Sequence, residues 1–175
     1  MLDNFLKFFG VNEEFSSDNL YEDFCLRFSK RSFGEGLFNT FPSDKRSYWN
    51  DVVGSCFPKY KGKISVIGYD WLGRIFATLS DQDSVKLFEV GTGEVLNIGC
   101  SVESLLDEEI PMYPNDALAL KFFNEWKKTN NISIPYGSCV SYKIPLFLNG
   151  KDVVSNLELS DMDVYWSVVG PLIKK

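Results

Sequence analysis

Four short clusters hold the residues whose types and spacing could do chemistry. Asp161-Met162-Asp163 sets two carboxylates two positions apart, a spacing that can offer oxygen ligands to a divalent cation. The same pair at a helix start would cap exposed N–H groups and complement the helix dipole, and capping is the preferred reading because caps are common. Asp107-Glu108-Glu109 is an acidic run whose default reading is solvated helix surface. Gly91-Thr92-Gly93 is too short to cradle a phosphate and lacks the lysine of such loops. It lies between two strand patterns and reads as a turn. In Asp70-Trp71-Leu72-Gly73-Arg74, Gly73 permits a tight reversal, and Asp70 can bond turn amides or pair with Arg74. Trp71 would either fill the core or stand exposed as a binding anchor, and burial is the reading taken.

No histidine occurs anywhere in the 175 residues. That excludes Ser-His-Asp and Cys-His nucleophilic sites and histidine-dependent zinc sites, because imidazole is the usual base near neutral pH. Cys25, Cys56, Cys100 and Cys139 are widely spaced with no CxxC, so they are expected as reduced, mostly buried thiols. Carboxylate chemistry remains open, with Asp161 and Asp163 as its candidates. The preferred reading is a protein without catalytic activity, cofactor or metal.

The chain carries 24 acidic against 18 basic residues, a net charge of −6, which argues against nucleic acid or an anionic membrane as direct ligand. A basic partner would be drawn instead, mainly through a faster association rate. Acid concentrates between Ser101 and Trp126, where Glu103, Asp107, Glu108, Glu109 and Asp116 form the candidate partner-binding face. Between Phe41 and Arg74 the balance reverses, with Lys45, Arg46, Lys59, Lys61, Lys63 and Arg74 outnumbering Asp44, Asp51 and Asp70. No apolar run approaches the ~20 residues that span a bilayer, and the first residues do not resemble a secretory signal, so the cytoplasm is the expected compartment.

These groups must be positioned by a packed α+β domain, since 15 Phe, 8 Tyr and 4 Trp demand an interior. Leu2, Phe5, Leu6 and Phe9 fall on one face of a short helix, and Leu20, Phe24 and Phe28 on that of a second. Gly34 and Gly36 punctuate a loop or short strand over 32–41. A third helix after Pro42-Ser43-Asp44 turns Trp49, Val52, Val53 and Cys56 inward. Strands are predicted over 64–69, 74–79, 85–90 and 94–98, giving a largely antiparallel or mixed sheet of four or more strands. Helices are predicted from about residue 100 and over 115–128. An extended segment follows over 142–148, and 161–169 reads as a closing helix or turn. One domain covers 1–175, with a helical N-terminal segment over 1–41 and an α+β core over 42–175.

The stretches ISVIGYDWLGRIFATL, VKLFEVGTGEVLNIGCSVESLLDEE, DALALKFFNEW and YKIPLFLNGKDVVSNLELSDMDVYW, in that order, resemble the C-terminal domain of type VI secretion immunity proteins. That family lies with or close to the SUKH superfamily of bacterial toxin-immunity proteins. The resemblance runs from about Phe57 to Trp166, and Asn149 departs from it where the family shows the first of two glycines. It implies a SUKH-like fold and a cognate toxin as partner, occluded at its active or substrate-binding surface, with basic nucleases among such toxins. It also implies that Asp70, Trp71, Gly73, Arg74, Gly91, Gly93, Asn156, Asp161, Asp163 and Trp166 build the fold rather than touch the partner. The alternative is a regulatory or scaffolding module of the same fold without a toxin. An adjacent toxin gene separates the two.

Overall fold

The alternating pattern between Ile64 and Asn97 produces an antiparallel meander. In the computed structural model, which describes residues 2–80 and 82–173, six strands pair in sequence order: β1 (Ser32–Phe33), β2 (Phe38–Thr40), β3 (Ile64–Asp70), β4 (Ile75–Leu79), β5 (Gln82–Glu89) and β6 (Glu94–Asn97). Every neighbouring pair is antiparallel. A second sheet pairs β7 (Ser138–Tyr142) with β8 (Leu157–Asp161). This is one α+β domain, as the sequence pattern predicts.

Both faces of the large sheet are covered, so its central strands read as nearly continuous apolar runs. Ile67, Phe76, Val85 and Leu87 point into one core, with α1 (Asp3–Phe8), α2 (Leu20–Arg27) and the helices of 102–130. Val66, Tyr69, Ile75, Ala77 and Phe88 point into the other, with α3 (Arg46–Cys56) and α8 (Met162–Val169). A bulge in β3 sets this partition: Val66 pairs with Ala77 and Gly68 with Phe76, leaving Ile67 as the extra residue. Residue 68 must be glycine, because a Cβ there would lie 2.5 Å from the Asn39 carbonyl oxygen and 2.7 Å from the Phe38 ring.

The α-helices of the N-terminal segment end at Arg27, and the loop or short strand expected over 32–41 is found there. In that stretch, β1 and β2 extend the main sheet, with Phe38 opposite Asp70 and Asn39 opposite Tyr69. Leu2, Phe5, Phe24 and Phe28 share a core with Trp71 and Trp126, and burying each phenylalanine stabilises by about 1.5–3 kcal/mol.

The helix expected from about residue 100 is present with an added feature, and two expectations after it need correction. The helix from residue 102 is continuous to Met112 but carries a π-turn over Leu105–Glu109 between α4 (Val102–Ser104) and α5 (Ile110–Met112). The helix predicted over 115–128 is two, α6 (Pro114–Leu118) and α7 (Leu120–Asn130), broken at Ala119 with φ 52°. The extended segment placed at 142–148 is β7 up to Tyr142 followed by a 3-10 turn at Leu146–Leu148, where Pro145 precedes the turn and the Leu146 amide donates to the Gly91 carbonyl at 2.8 Å. No helix among the described residues is long and apolar enough to cross a membrane.

Candidate functional site

The turn between β3 and β4 is the densest polar site in the interior. The Asp70 side chain, fully buried, accepts from the backbone amides of Leu72 and Arg74, both at 3.0 Å. Its second oxygen takes the Arg74 guanidinium at 2.6 Å. Arg74 also donates to Glu89 at 3.0 Å and to the Ala117 carbonyl at 3.1 Å. Glu89 in turn receives the Thr92 hydroxyl at 3.1 Å, tying the β5–β6 hairpin turn to the same group. Burial pushes the Asp70 carboxyl above its usual value, opposed by the Arg74 charge and its hydrogen bonds. A buried charge set of this kind is tolerated when its hydrogen bonds are made.

The break at Ala119 belongs to this network. Ending α6 at Leu118 frees the last carbonyls of the helix. Arg74 takes that of Ala117, and the Trp71 indole takes that of Leu118 at 2.8 Å. The Lys121 amide, which an unbroken helix would direct to Ala117, bonds the Asn115 side chain instead at 3.1 Å. A left-handed alanine costs about 1–2 kcal/mol, and two buried donors gain partners in exchange.

Each motif position has a structural task. Gly73 has φ 73°, and a Cβ there would sit 2.9 Å from the Cys139 sulfur. Trp166 is buried and its indole donates to the Gly73 carbonyl at 2.8 Å. A Cβ on Gly91 would meet the Tyr165 oxygen at 2.6 Å and the Tyr142 ring at 2.7 Å, and Gly93 supplies φ 73° for the hairpin turn. Asn156 clamps the closing loop, donating to the carbonyls of Ile144 and Lys151, both at 2.9 Å, and accepting from the Ile144 amide at 3.1 Å. Asn149 adopts φ 66°, a left-handed conformation that asparagine tolerates.

The Asp161 side chain accepts from the amides of Asp163 and Val164, both at 2.9 Å, and so caps α8. Asp163 accepts the Tyr48 hydroxyl at 2.6 Å. That bond holds the Tyr48 phenol above its ordinary value. The two carboxylates of the DxD pair thus serve different partners. Among the described residues no group of three or more His, Cys, Asp or Glu side chains is arranged to hold a metal ion.

The five acidic candidates do not form one equivalent set. Val102, Leu105, Leu106 and Ile110 turn inward, leaving Glu103 and Glu108 exposed and Glu109 half-buried. Asp107 faces the N-terminus: one oxygen accepts from the Asn4 amide at 2.8 Å and the Phe5 amide at 3.2 Å, capping α1 from outside. Asp116 is exposed on α6, and between it and Glu109 the chain leaves Met112 63% and Tyr113 52% exposed. Methionine and tyrosine are among the residue types enriched at protein interfaces.

Sequence reasoning missed a second surface, the groove between α3 and α8. One lobe, of about 410 Å³, is bounded by Phe41, Trp49, Tyr69, Tyr136 and the Tyr48–Asp163 pair. A second lobe of about 380 Å³ lies on the far side of the same pair, against Asp51, Val52 and Trp166. The available signal was the Tyr48-Trp49 dipeptide: on a helix that turns Trp49 inward, its neighbour must face another direction. Of the cysteines, Cys25, Cys56 and Cys139 are buried and Cys100 is half-buried, none in a disulfide. Burial raises the Cys25 thiol to about 11.

No family model matches the sequence, and no curated protein does. Among solved structures, the crystal structure of Atu4351 from Agrobacterium tumefaciens superposes with a TM-score of 0.62 at 17% identity, over 97% of this chain and 88% of that one. At that identity the likeness concerns the fold alone.

Proposed function

We propose that this chain is an immunity protein that binds a cognate bacterial toxin in the cytoplasm and occludes its active or substrate-binding surface. The sequence resemblance, spread over four separated stretches, supports the family. The observation that carries the reading is the exposed Met112–Tyr113 pair flanked by Glu108, Glu109 and Asp116, apolar anchors set in acid. A toxin that holds nucleic acid presents basic surface, to which this patch and a net charge of −6 are complementary. Most motif residues are buried or occupied in holding the fold, which leaves the exposed surface, the Asp163 carboxylate included, to carry specificity.

A toxin encoded beside this gene, purified as an inactive variant, would test the reading, and the lack of one would favour the scaffolding module instead. Combined charge reversal at Glu103, Glu108, Glu109 and Asp116 slows association about tenfold at low salt and far less at about 0.3 M salt. Truncating Tyr113 to alanine raises the dissociation rate. An unchanged association rate would remove the acidic face from the mechanism. Failure of the wild-type chain both to bind the toxin and to protect cells expressing the active toxin would remove the function.

A further inference from the structure

Tyr48 is 44% exposed, yet its hydroxyl is fixed by Asp163. It stands where the two lobes of the α3–α8 groove meet. On one side lies an aromatic wall: the Phe41 and Trp49 rings are 5.0 Å apart and those of Phe41 and Tyr69 5.1 Å apart. The charged side chains that line the two lobes are Asp51, Asp161 and Asp163 against Lys45, so the groove is acidic. Beside it, α8 presents Val164 and Val168 one turn apart, 57% and 59% exposed.

The exposed Tyr48 ring beside carboxylates favours an organic cation, through the ring quadrupole and through charge, with Phe41, Trp49 and Tyr69 buried behind it. The lobes are shallow and open along the helices, and the neighbouring valines extend the apolar contact beyond any one side chain. We infer that this groove seats a basic segment of the protein partner, an arginine or lysine entering beside Tyr48 to pair with Asp163 while flanking apolar residues cover Val164 and Val168. This rests on the reading of the chain as a partner-binding protein, and adds a second contact region on a different part of the molecule from Met112 and Tyr113. An arginine fits best, because a guanidinium can stack on a ring and hydrogen-bond a carboxylate at once.

Two probes decide the matter separately. The first is the peptide acetyl-Leu-Arg-Leu-amide, titrated into the labelled full chain by NMR against the same peptide with citrulline, which keeps the shape and loses the charge. The arginine peptide should shift the signals of Tyr48, the Trp49 indole and the Gly137 amide, and should bind at least about fivefold more tightly than the citrulline peptide. The preference should vanish in Asp163→Asn, a variant in which Asp161 still caps α8. Equal binding of the two peptides, or shifts confined to other surfaces, would overturn the inference. The second probe is the toxin: Tyr48→Ala should weaken the complex about tenfold or more, and Tyr48→Phe, which keeps the ring, less. Undiminished toxin affinity in Tyr48→Ala also overturns it. If the wild-type chain fails to bind the toxin, the immunity reading falls while the peptide titration still decides the groove.

Discussion

The indole nitrogen of Trp166 donates a hydrogen bond to the carbonyl oxygen of Gly73 at 2.8 Å, joining α8 to the β3–β4 turn across 93 residues. Replacing Trp166 with phenylalanine keeps most of the apolar volume and leaves that buried carbonyl without a partner. The expected loss is about 1–3 kcal/mol for the unsatisfied acceptor, plus packing, read as a lower urea midpoint with an unchanged slope.

Arg74 is the residue on which the turn depends most. Arg74→Met removes the cationic partner of a fully buried Asp70, leaves Glu89 with the Thr92 hydroxyl but no countercharge, and takes the side-chain donor from the Ala117 carbonyl. The expected cost is about 3–5 kcal/mol. The double variant Asp70→Asn, Arg74→Met should recover part of it, and a double-mutant cycle measures the coupling. Additive single effects would mean that the two side chains do not act as one unit.

Asp107 and Glu108 are adjacent acids with different tasks. Asp107→Ala should cost about 1 kcal/mol by uncapping α1 and accelerate hydrogen exchange at the Asn4 and Phe5 amides. Glu108→Ala should stay within about 0.5 kcal/mol of the parent. Equal effects would contradict the cap.

Glu22 gives the fold an acid-sensitive contact. Its hydrogen bonds to Arg46, at 2.8 and 3.2 Å, hold the carboxyl below its ordinary 4.5, and the Arg46 guanidinium lies 4.6 Å from the centre of the Tyr21 ring. A depressed folded pKa means that the unfolded chain takes up its proton first as pH falls. The stabilisation is therefore complete above the ordinary value and is lost as pH drops through the depressed one. Glu22→Gln should lower the melting temperature near pH 7, where the contact is intact, and the gap to the parent should close as pH falls below about 5, so the variant's own fall is flatter. A parallel fall in both proteins would show that the pair contributes nothing.

Much of this architecture was legible in the residues. The DWLGR turn, the Gly91–Gly93 hairpin, the inward positions of α3 and the cap at Asp161 follow from local rules of reversal, alternation and capping. The break at Ala119 was not legible, because alanine is a good helix former and the cause lies elsewhere, in donors on Arg74 and Trp71 that need carbonyls. For the same reason Asp107 looked like surface acid: its partners are the Asn4 and Phe5 amides, more than 100 positions away. The groove at Tyr48 escaped notice because its walls come from α3, α8 and the residues around Tyr136, which no periodicity brings together.

The meander order of the large sheet has a kinetic consequence. Each strand finds its neighbour within a few tens of residues, so all six can zip together through short loop closures while a ribosome is still making the rest of the chain. The polar turn at Asp70–Arg74 is then assembled but unroofed. Its remaining partners come later in the chain: the Ala117 and Leu118 carbonyls at the end of α6, then the Val140 amide on the Trp71 carbonyl and the Trp166 indole on Gly73. The polar turn therefore draws its last partners from segments made after the sheet.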